Sequence, residues 1–434
     1  MSSLSIGIIG ILVMLFLLFL RMPVGLAMAA VGFGGYACLT SLEGAFGILR
    51  SVPFVTALSY DLSVLPLFLL MGSFAIYAGM TEGLYFSAYK WIGSLPGGLA
   101  IATIIGCSGF AAVSGSTLAT AATIGKIALP EMKKYRYDPA LAMGAAASGG
   151  SLGILIPPSS IMIIYGIITE QSIEKLFIAG IFPGILLSFL FVMYILIISG
   201  LKKELGPPAE KAPLNEKIKS LRDCWGVIVL FLVIMGGMYT GIFTPTEAAG
   251  VGAFGTLAFA VAKRRLKRTD FINALTETIS TTGMIFVIII GAMIFGYFLA
   301  ISRLPYELGG FVCSLPVSRY FILACILAVY IMLGCVLDTI AMVLITVPVF
   351  FPVIQELGFD PIWFGIIMVL VSEMSVITPP MGMNVYVIHG IFQDVPMVTI
   401  FRGVTPFFGM MILCTILLIL FPEIVLFLPD IMKN

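Results

Sequence analysis

The sequence predicts an all-α polytopic membrane protein, arranged as an inverted repeat of two five-span halves, each with a re-entrant helical hairpin and a broken helix. Three observations predict it. First, apolar runs long enough to cross a bilayer recur from end to end of a 434-residue chain that is 60% hydrophobic and only 10% charged, with a mean hydropathy of +1.14. A soluble chain would carry about 25% charged residues. Second, four apolar segments are interrupted near the middle by small, polar or Pro-Pro residues. Third, those interruptions recur at a spacing of 222 residues. The net charge of +1 argues against a nucleic-acid partner. The seven cysteines are scattered, mostly in apolar runs, with no CxxC or Cys/His metal spacing, and read as small buried hydrophobes.

Taken in order, the first half offers spans near 5–20, 23–40, 63–80, 137–168 and 179–200. The second offers spans near 225–241, 246–262, 282–300, 362–391 and 405–427. The N-terminal run MSSLSIGIIGILVMLFLLFLRMP has no basic n-region and no small-residue cleavage site, so it reads as a retained first span. Segments 97–130 and 317–354 are split by GFAAVSGSTLATAA and LGCVLDTIAMV. That is the pattern of two short helices folded back with a polar tip inside the bilayer. Residues 44–60 and 269–281 are amphipathic and too polar to span, and read as brace helices along opposite membrane surfaces. Residues 201–222, LKKELGPPAEKAPLNEKIKSLR, form a polar linker between halves 1–200 and 223–434.

A shift of 222 residues superposes Pro23 on Pro245, Ala27 on Ala249, Thr117 on Thr339 and Pro130 on Pro352. It also superposes Asp138-Pro139 on Asp360-Pro361 and Pro157-Pro158 on Pro379-Pro380. Five prolines coincide in chain order, where a background of about 5% proline predicts fewer than about one. Each half has an odd number of crossings if its hairpin returns to the side it entered from. Two such units in tandem must lie in opposite orientations, as in many secondary transporters. Placing the linker in the cytoplasm puts sixteen Lys and Arg inside: Arg21, Lys90, and those of 133–136, 201–222 and 263–268. Five remain outside (Arg50, Lys175, Arg303, Arg319 and Lys433), and Lys126 and Arg402 fall within spans. This bias follows the positive-inside rule and places both termini outside. The first hairpin then enters from the cytoplasm and the second from the opposite face.

The stretch SGGSLGILIPPSS (148–160) and its counterpart LVSEMSVITPPMGMN (370–384) would break helices at membrane depth. Proline removes a donor and blocks helix continuation, and glycine permits the dihedrals of a break. Unpaired backbone groups cost several kcal/mol each in hydrocarbon, so such breaks belong where protein, water or a ligand satisfies them. Half-helix C-termini offer carbonyls that suit Na⁺, and N-termini offer N–H groups that suit a carboxylate. Pairing each tip with the break of its own half gives two candidate cation sites. One combines Ser114, Ser116 and Thr117 with Ser148, Gly149, Gly150 and Ser151. The other combines Gly334, Asp338 and Thr339 with Ser372, Glu373 and Thr378. Oxygen donors of this kind suit a hard cation. Substrate is expected between the tips, against Ser114, Gly115, Ser116, Pro157, Pro158 and Ser159 on one side and Thr378, Pro379, Pro380 and Asn384 on the other.

Plainer readings stand beside these. A single Pro or Gly in a membrane helix is often only a kink, although matched copies weigh against that. Asp338 reads equally as the cap of the second hairpin helix, a role compatible with ion binding. Lys126 reads as a snorkelling side chain, His389 as a helix-end residue and Glu247 as a charge at a helix N-terminus. One histidine, no Walker motif and no Ser–His dyad oppose an intramembrane enzyme.

The motifs FTPTEAAGVGAFG (243–255), LGCVLDTIAMVLITVPVFFPVI (333–354), GFDPIWFGIIMVL (358–370) and ITPPMGMNVYVI (377–388) resemble the large, DctM-like membrane subunit of TRAP (tripartite ATP-independent periplasmic) transporters. FLLMGSFAIYAGM (68–80), SGSTLATAATIG (114–125) and SGGSLGILIPPSS extend the resemblance to the first half. It implies an elevator-type ion-transporter fold, in which a transport domain of hairpins and broken helices slides against a scaffold. It also implies Na⁺ as coupling ion, import of a small organic acid (carboxylate, sialic acid or sulfonate type) and a bacterial inner-membrane location with periplasmic termini. The implied partners are a separate small four-helix membrane subunit, a periplasmic binding protein and membrane lipid. The chain departs from the family pattern at Ser372, where Asn is expected, and at Met381, where Val is expected. A stand-alone Na⁺-coupled organic-anion carrier of the same superfamily is the alternative.

Overall fold

The computed structural model describes residues 2–432, and all regular structure there is helical. Lys433, one of the expected external cations, lies outside the described residues. The chain opens with α1 (Ser3–Phe19), α2 (Val24–Leu39), α3 (Leu42–Ala57), α4 (Val64–Tyr77) and α5 (Met80–Ile92). The first expected hairpin is α6 (Gly98–Ser114) and α7 (Thr117–Lys134). The first broken helix is α8 (Pro139–Gly150), the single turn α9 (Leu152–Leu155) and α10 (Ser160–Thr169), followed by α11 (Ile173–Leu201). Then come α12 (Leu214–Tyr239), α13 (Pro245–Ala262), α14 (Arg268–Ser302) and α15 (Leu304–Ser314). The second hairpin is α16 (Arg319–Gly334) and α17 (Thr339–Glu356), and the second broken helix is α18 (Pro361–Ser375) and α19 (Met383–Ile391). The described chain ends with α20 (Met397–Leu420) and α21 (Glu423–Ile431).

Local chemistry sets these starts. Asp138 and Asp360 cap α8 and α18, accepting from the Leu141 and Trp363 amides at 3.0 and 2.9 Å, with proline in the first turn of each helix. Thr244 and Glu247 form a reciprocal capping box on α13, which accounts for Glu247 as a helix-end charge.

Among the described residues, six helical runs can cross a membrane by length and composition: Pro139–Thr169, Ile173–Leu201, Leu214–Tyr239, Arg268–Ser302, Thr339–Glu356 and Met397–Leu420. The pair Leu42–Ala57 and Asp61–Tyr77, bent by 57°, makes a seventh if taken as one span. Helices α1, α2, α6, α16 and α18 are apolar but shorter. The expected brace helix at 269–281 is not separate. It is the first part of the 35-residue α14, because nothing between Ser280 and Gly283 breaks the helix, whereas the chain turns at Leu58–Asp61 between α3 and α4. The last expected span also shifts. α20 starts at Met397 and stops at Leu420, and Phe421-Pro422 leads into the separate α21.

The linker also differs from expectation. Only residues 202–213 lie outside helices, and they are pinned. The Gly97 amide donates to the Gly206 carbonyl at 2.8 Å, the Ala209 amide to the Gly93 carbonyl at 2.8 Å, and the Asp138 amide to the Leu205 carbonyl at 3.0 Å. The linker therefore straps the turn between α5 and α6. A side chain on Gly206 would come within 2.8 Å of the Gly97 Cα.

The helices form two groups. In one, α14 runs along α2 and α4, and α13 packs on α4 and α12. In the other, α8 packs on α20, α7 and α6, while α17 packs on α10, α16 and α18, and α19 on α7. Glycines bring backbones together inside each group. A Cβ on Gly291 would overlap the Gly25 carbonyl between α14 and α2, and one on Gly144 would overlap the Gly403 carbonyl between α8 and α20. Between the groups, α5 packs on both α6 and α12, and α15 packs on α17 and also touches α1 and α14; direct contacts are α4 on α6, α14 on α17, and α12 on α6. Beside the α14–α17 contact lies a largely apolar cavity of about 510 Å³, lined by Ile289, Met293, Tyr297, Leu344, Val347 and Phe351 among others.

Candidate functional site

The polar tips and the helix breaks converge. At the first tip α6 ends at Ser114, and Gly115 turns the chain with φ +58°, a conformation that favours glycine. Ser116 then caps α7, accepting from the Ala119 amide at 3.3 Å. Ser114 is buried and its hydroxyl lies 2.9 Å from that of Thr120, a residue not anticipated from the sequence although it sits one helical turn past Ser116. The tip packs on the break of its own half. The Ser160 hydroxyl donates to the Gly115 carbonyl at 3.2 Å. A Cβ on Gly153 would stand 2.6 Å from the Ser116 carbonyl, and one on Gly149 2.8 Å from the Cys107 sulfur of α6. Pro157 and Pro158, joined by a cis peptide bond, are buried, and Ser159 caps α10 through the Met162 amide at 3.3 Å.

The second tip is built the same way. Asp338 caps α17, accepting from the Ala341 amide at 2.9 Å, and Thr339 beside it is buried. Gly334 lies so close to Ser375 at the end of α18 that any side chain there would collide. The Cys335 thiol lies 3.5 Å from the Pro379 carbonyl. Thr378 donates to the Ser375 carbonyl at 3.3 Å, and the cis-linked Pro379 and Pro380 are exposed. Ser372 is buried but donates to the Met368 carbonyl of its own helix at 2.7 Å.

Two residues sit elsewhere than the within-half pairing placed them. Glu373, assigned to the second tip, accepts a hydrogen bond of 2.6 Å from Thr117 at the first tip. The Asn384 amide donates to the Ala147 carbonyl of α8 at 2.9 Å. A Cβ on Gly150 would lie 2.8 Å from the Asn384 Nδ2 and 3.2 Å from the Thr117 carbonyl. The second broken helix therefore reaches into the first site. The cause is geometric: α18 packs on α9 and α10, and α19 on α7 and α8, which brings residues of both helices toward the first tip.

Four oxygens in this region are buried without a protein hydrogen-bond partner: Ser148 Oγ, Ser151 Oγ, Glu373 Oε1 and Asn384 Oδ1. All four side chains are fully buried. Burying such atoms unpaired costs roughly 1–3 kcal/mol each, so clusters of them mark positions where a ligand completes the bonding. Among the described residues there is no group of three or more His, Cys, Asp or Glu side chains placed to hold a metal ion. The donors are hydroxyls, an amide and one carboxylate, a set that suits a hard monovalent cation better than a transition metal.

The match to known families decides the identity: residues 11–424 fit the model described as "Tripartite ATP-independent periplasmic transporter, DctM component". The chain belongs to the DctM family. It is 36% identical over 401 residues to the C4-dicarboxylate TRAP transporter large permease protein DctM of Pseudomonas aeruginosa, covering 90% of this chain and 93% of that protein. It is 32% identical over 416 residues to the sialic acid TRAP transporter large permease protein SiaM of Vibrio cholerae, covering 95% and 96%. Among solved structures, the Alcanivorax borkumensis YdaH transporter shares the fold with a TM-score of 0.64 at 15% identity, over 87% of this chain and 89% of that one. This DctM component is thus a multi-pass membrane protein and the large permease of a TRAP transporter, a family whose members work with a small membrane subunit and a periplasmic binding protein.

Proposed function

We propose that this DctM protein is the large permease of a Na⁺-coupled importer for a small organic acid, delivered by a periplasmic binding protein and moved by an elevator mechanism. It would sit in the bacterial inner membrane beside a small four-helix subunit, with both termini periplasmic and its halves related as an inverted repeat. The observation that carries the reading is the convergence of the first hairpin tip and both broken helices around buried, unpartnered oxygens. Those oxygens favour a coupling cation. α7, α10 and α17 have side-chain caps at the breaks, while α19 begins at Gly382 without one, next to the exposed Pro379 and Pro380, and the Val376 carbonyl takes the Asn384 backbone amide of its first turn at 2.9 Å. The helix dipole at that exposed end favours a substrate carboxylate. C4-dicarboxylate and sialic acid, the cargoes in the relatives' names, share that group.

The elevator part rests on the two helix groups. Each is held internally by glycine-mediated backbone contact, while the α14–α17 side of their boundary carries the 510 Å³ cavity. Interlocked backbones move as units, and a loosely filled, apolar boundary is where sliding costs least.

Reconstituted uptake tests the reading. Proteoliposomes holding this chain and its small partner are expected to accumulate an organic acid only with both an inward Na⁺ gradient and the loaded binding protein. Uptake of free substrate without the binding protein would replace the tripartite reading with a stand-alone carrier. Uptake indifferent to Na⁺ would remove the coupling ion.

A further inference from the structure

The geometry points to one cation site shared between the two halves of the chain: Glu373 and Asn384, from the second broken helix, complete the site of the first hairpin tip. This rests on the Na⁺-coupled reading above and goes beyond it, because within-half pairing gives each half a site of its own. Three observations carry it. Thr117, first residue of α7, donates to Glu373 Oε2 at 2.6 Å across 256 residues of sequence, and among the described residues no basic side chain is bonded to that carboxylate. Asn384 donates to the Ala147 carbonyl, so its amide oxygen stands at the turn that also carries Ser148 and Ser151. The oxygens left without a protein partner are Glu373 Oε1, Asn384 Oδ1, Ser148 Oγ and Ser151 Oγ, all on fully buried side chains.

A buried carboxylate with a single neutral donor is electrostatically uncompensated; a proton or one monovalent cation restores neutrality, and the unpartnered oxygens beside it favour the cation. Neutral hydroxyl and amide oxygens then fill out a hard-cation shell. Occupancy would join α7, α8, α18 and α19 through one ion. Binding would thereby lock the first hairpin to the second broken helix.

The test is Na⁺-specific thermal stabilisation of the purified full-length protein, titrating NaCl against KCl at constant ionic strength. Wild type is expected to be stabilised by Na⁺ in a saturable way. Glu373→Gln, which can still accept from Thr117 but carries no charge, is expected to raise the half-saturating Na⁺ concentration at least tenfold, and Asn384→Ser to raise it less. A wild-type Na⁺ response in Glu373→Gln would overturn the proposal and leave the Na⁺-coupled reading intact, since a purely structural hydrogen bond survives that change. No Na⁺-specific response in wild type would overturn both. If Glu373→Gln does not insert, Thr117→Val serves instead. It is expected to weaken the Na⁺ response by letting the carboxylate turn from the site, and an unchanged response there would overturn the proposal too.

Discussion

Asp338 has a structural task in the fold beside the one proposed for it. Its Oδ1 accepts from the Ala341 amide and closes the first turn of α17 at the second tip. Asn is as good a helix cap as Asp, so Asp338→Asn is expected to change stability by less than ~1 kcal/mol, whereas Asp338→Ala should lose about that much. Removing the charge is nonetheless expected to raise the Na⁺ concentration for half-maximal uptake by about tenfold, the scale of a lost charged contact of ~1.5–3 kcal/mol. Uptake kinetics beside a melting curve for the same preparations separate the two effects; an unchanged Na⁺ dependence would leave Asp338 only the cap. Site residues of this kind were legible in the sequence because hydroxyls and carboxylates stand out in apolar runs. Their partners were less so. Symmetry alone assigned Glu373 to Asp338 and Thr339, while the fold hands it to Thr117, and no pattern within one sequence encodes a contact across 256 residues.

At the scale of elements, the breaks were legible because they have strong chemical causes. Asp-Pro pairs start α8 and α18, and Pro-Pro pairs interrupt the helices that follow. The ends of long helices were not, because hydropathy marks where a span meets water and the backbone does not stop there. NEKIKSLRDC at the start of α12 is polar yet rich in good helix formers, so α12 begins at Leu214 rather than near 225. The same applies to the polar first part of α14. The linker held the largest surprise, being strapped through Leu205, Gly206 and Ala209 to the turn between α5 and α6. Inserting Gly-Ser after Gly206 would displace backbone hydrogen bonds worth about 1 kcal/mol each, and is expected to cut uptake per folded protein by roughly tenfold. The same insertion after Lys211, beyond the strap, should cost less than about twofold, since lengthening a flexible loop costs only a fraction of a kcal/mol. Equal effects at the two positions would deny the strap any part in transport.

For the whole molecule, the question is which surfaces stay together and which part. Gly25 with Gly291, and Gly144 with Gly403, leave no room for a side chain between backbones, and a methyl group there is expected to cost ~1–3 kcal/mol through overpacking. The group that contains α4 meets the first tip tightly at Gly72, where a Cβ would lie 2.9 Å from the Ser114 carbonyl. Across the cavity, Met293 of α14 faces the α17 wall that carries Val347. In a background without the seven native cysteines, Met293→Cys with Val347→Cys, joined by a short cleavable bifunctional reagent, should reduce uptake by at least about tenfold, and cleavage should restore it. Undiminished transport by the joined protein would mean that these two groups of helices do not slide past each other.

Pro157 and Pro158 are buried, whereas Pro379, Pro380 and Met381 lie on an exposed surface together with Val336, which is 61% exposed. In the arrangement described, a blocking compound can therefore reach the second break and not the first. The side chain it would meet there is that of Met381, which is 40% exposed. An inhibitor shaped to the flexible thioether would sit at the start of α19, where the proposed function places the substrate carboxylate, so selectivity among permeases that share a cargo can be sought beside the cargo's own contacts.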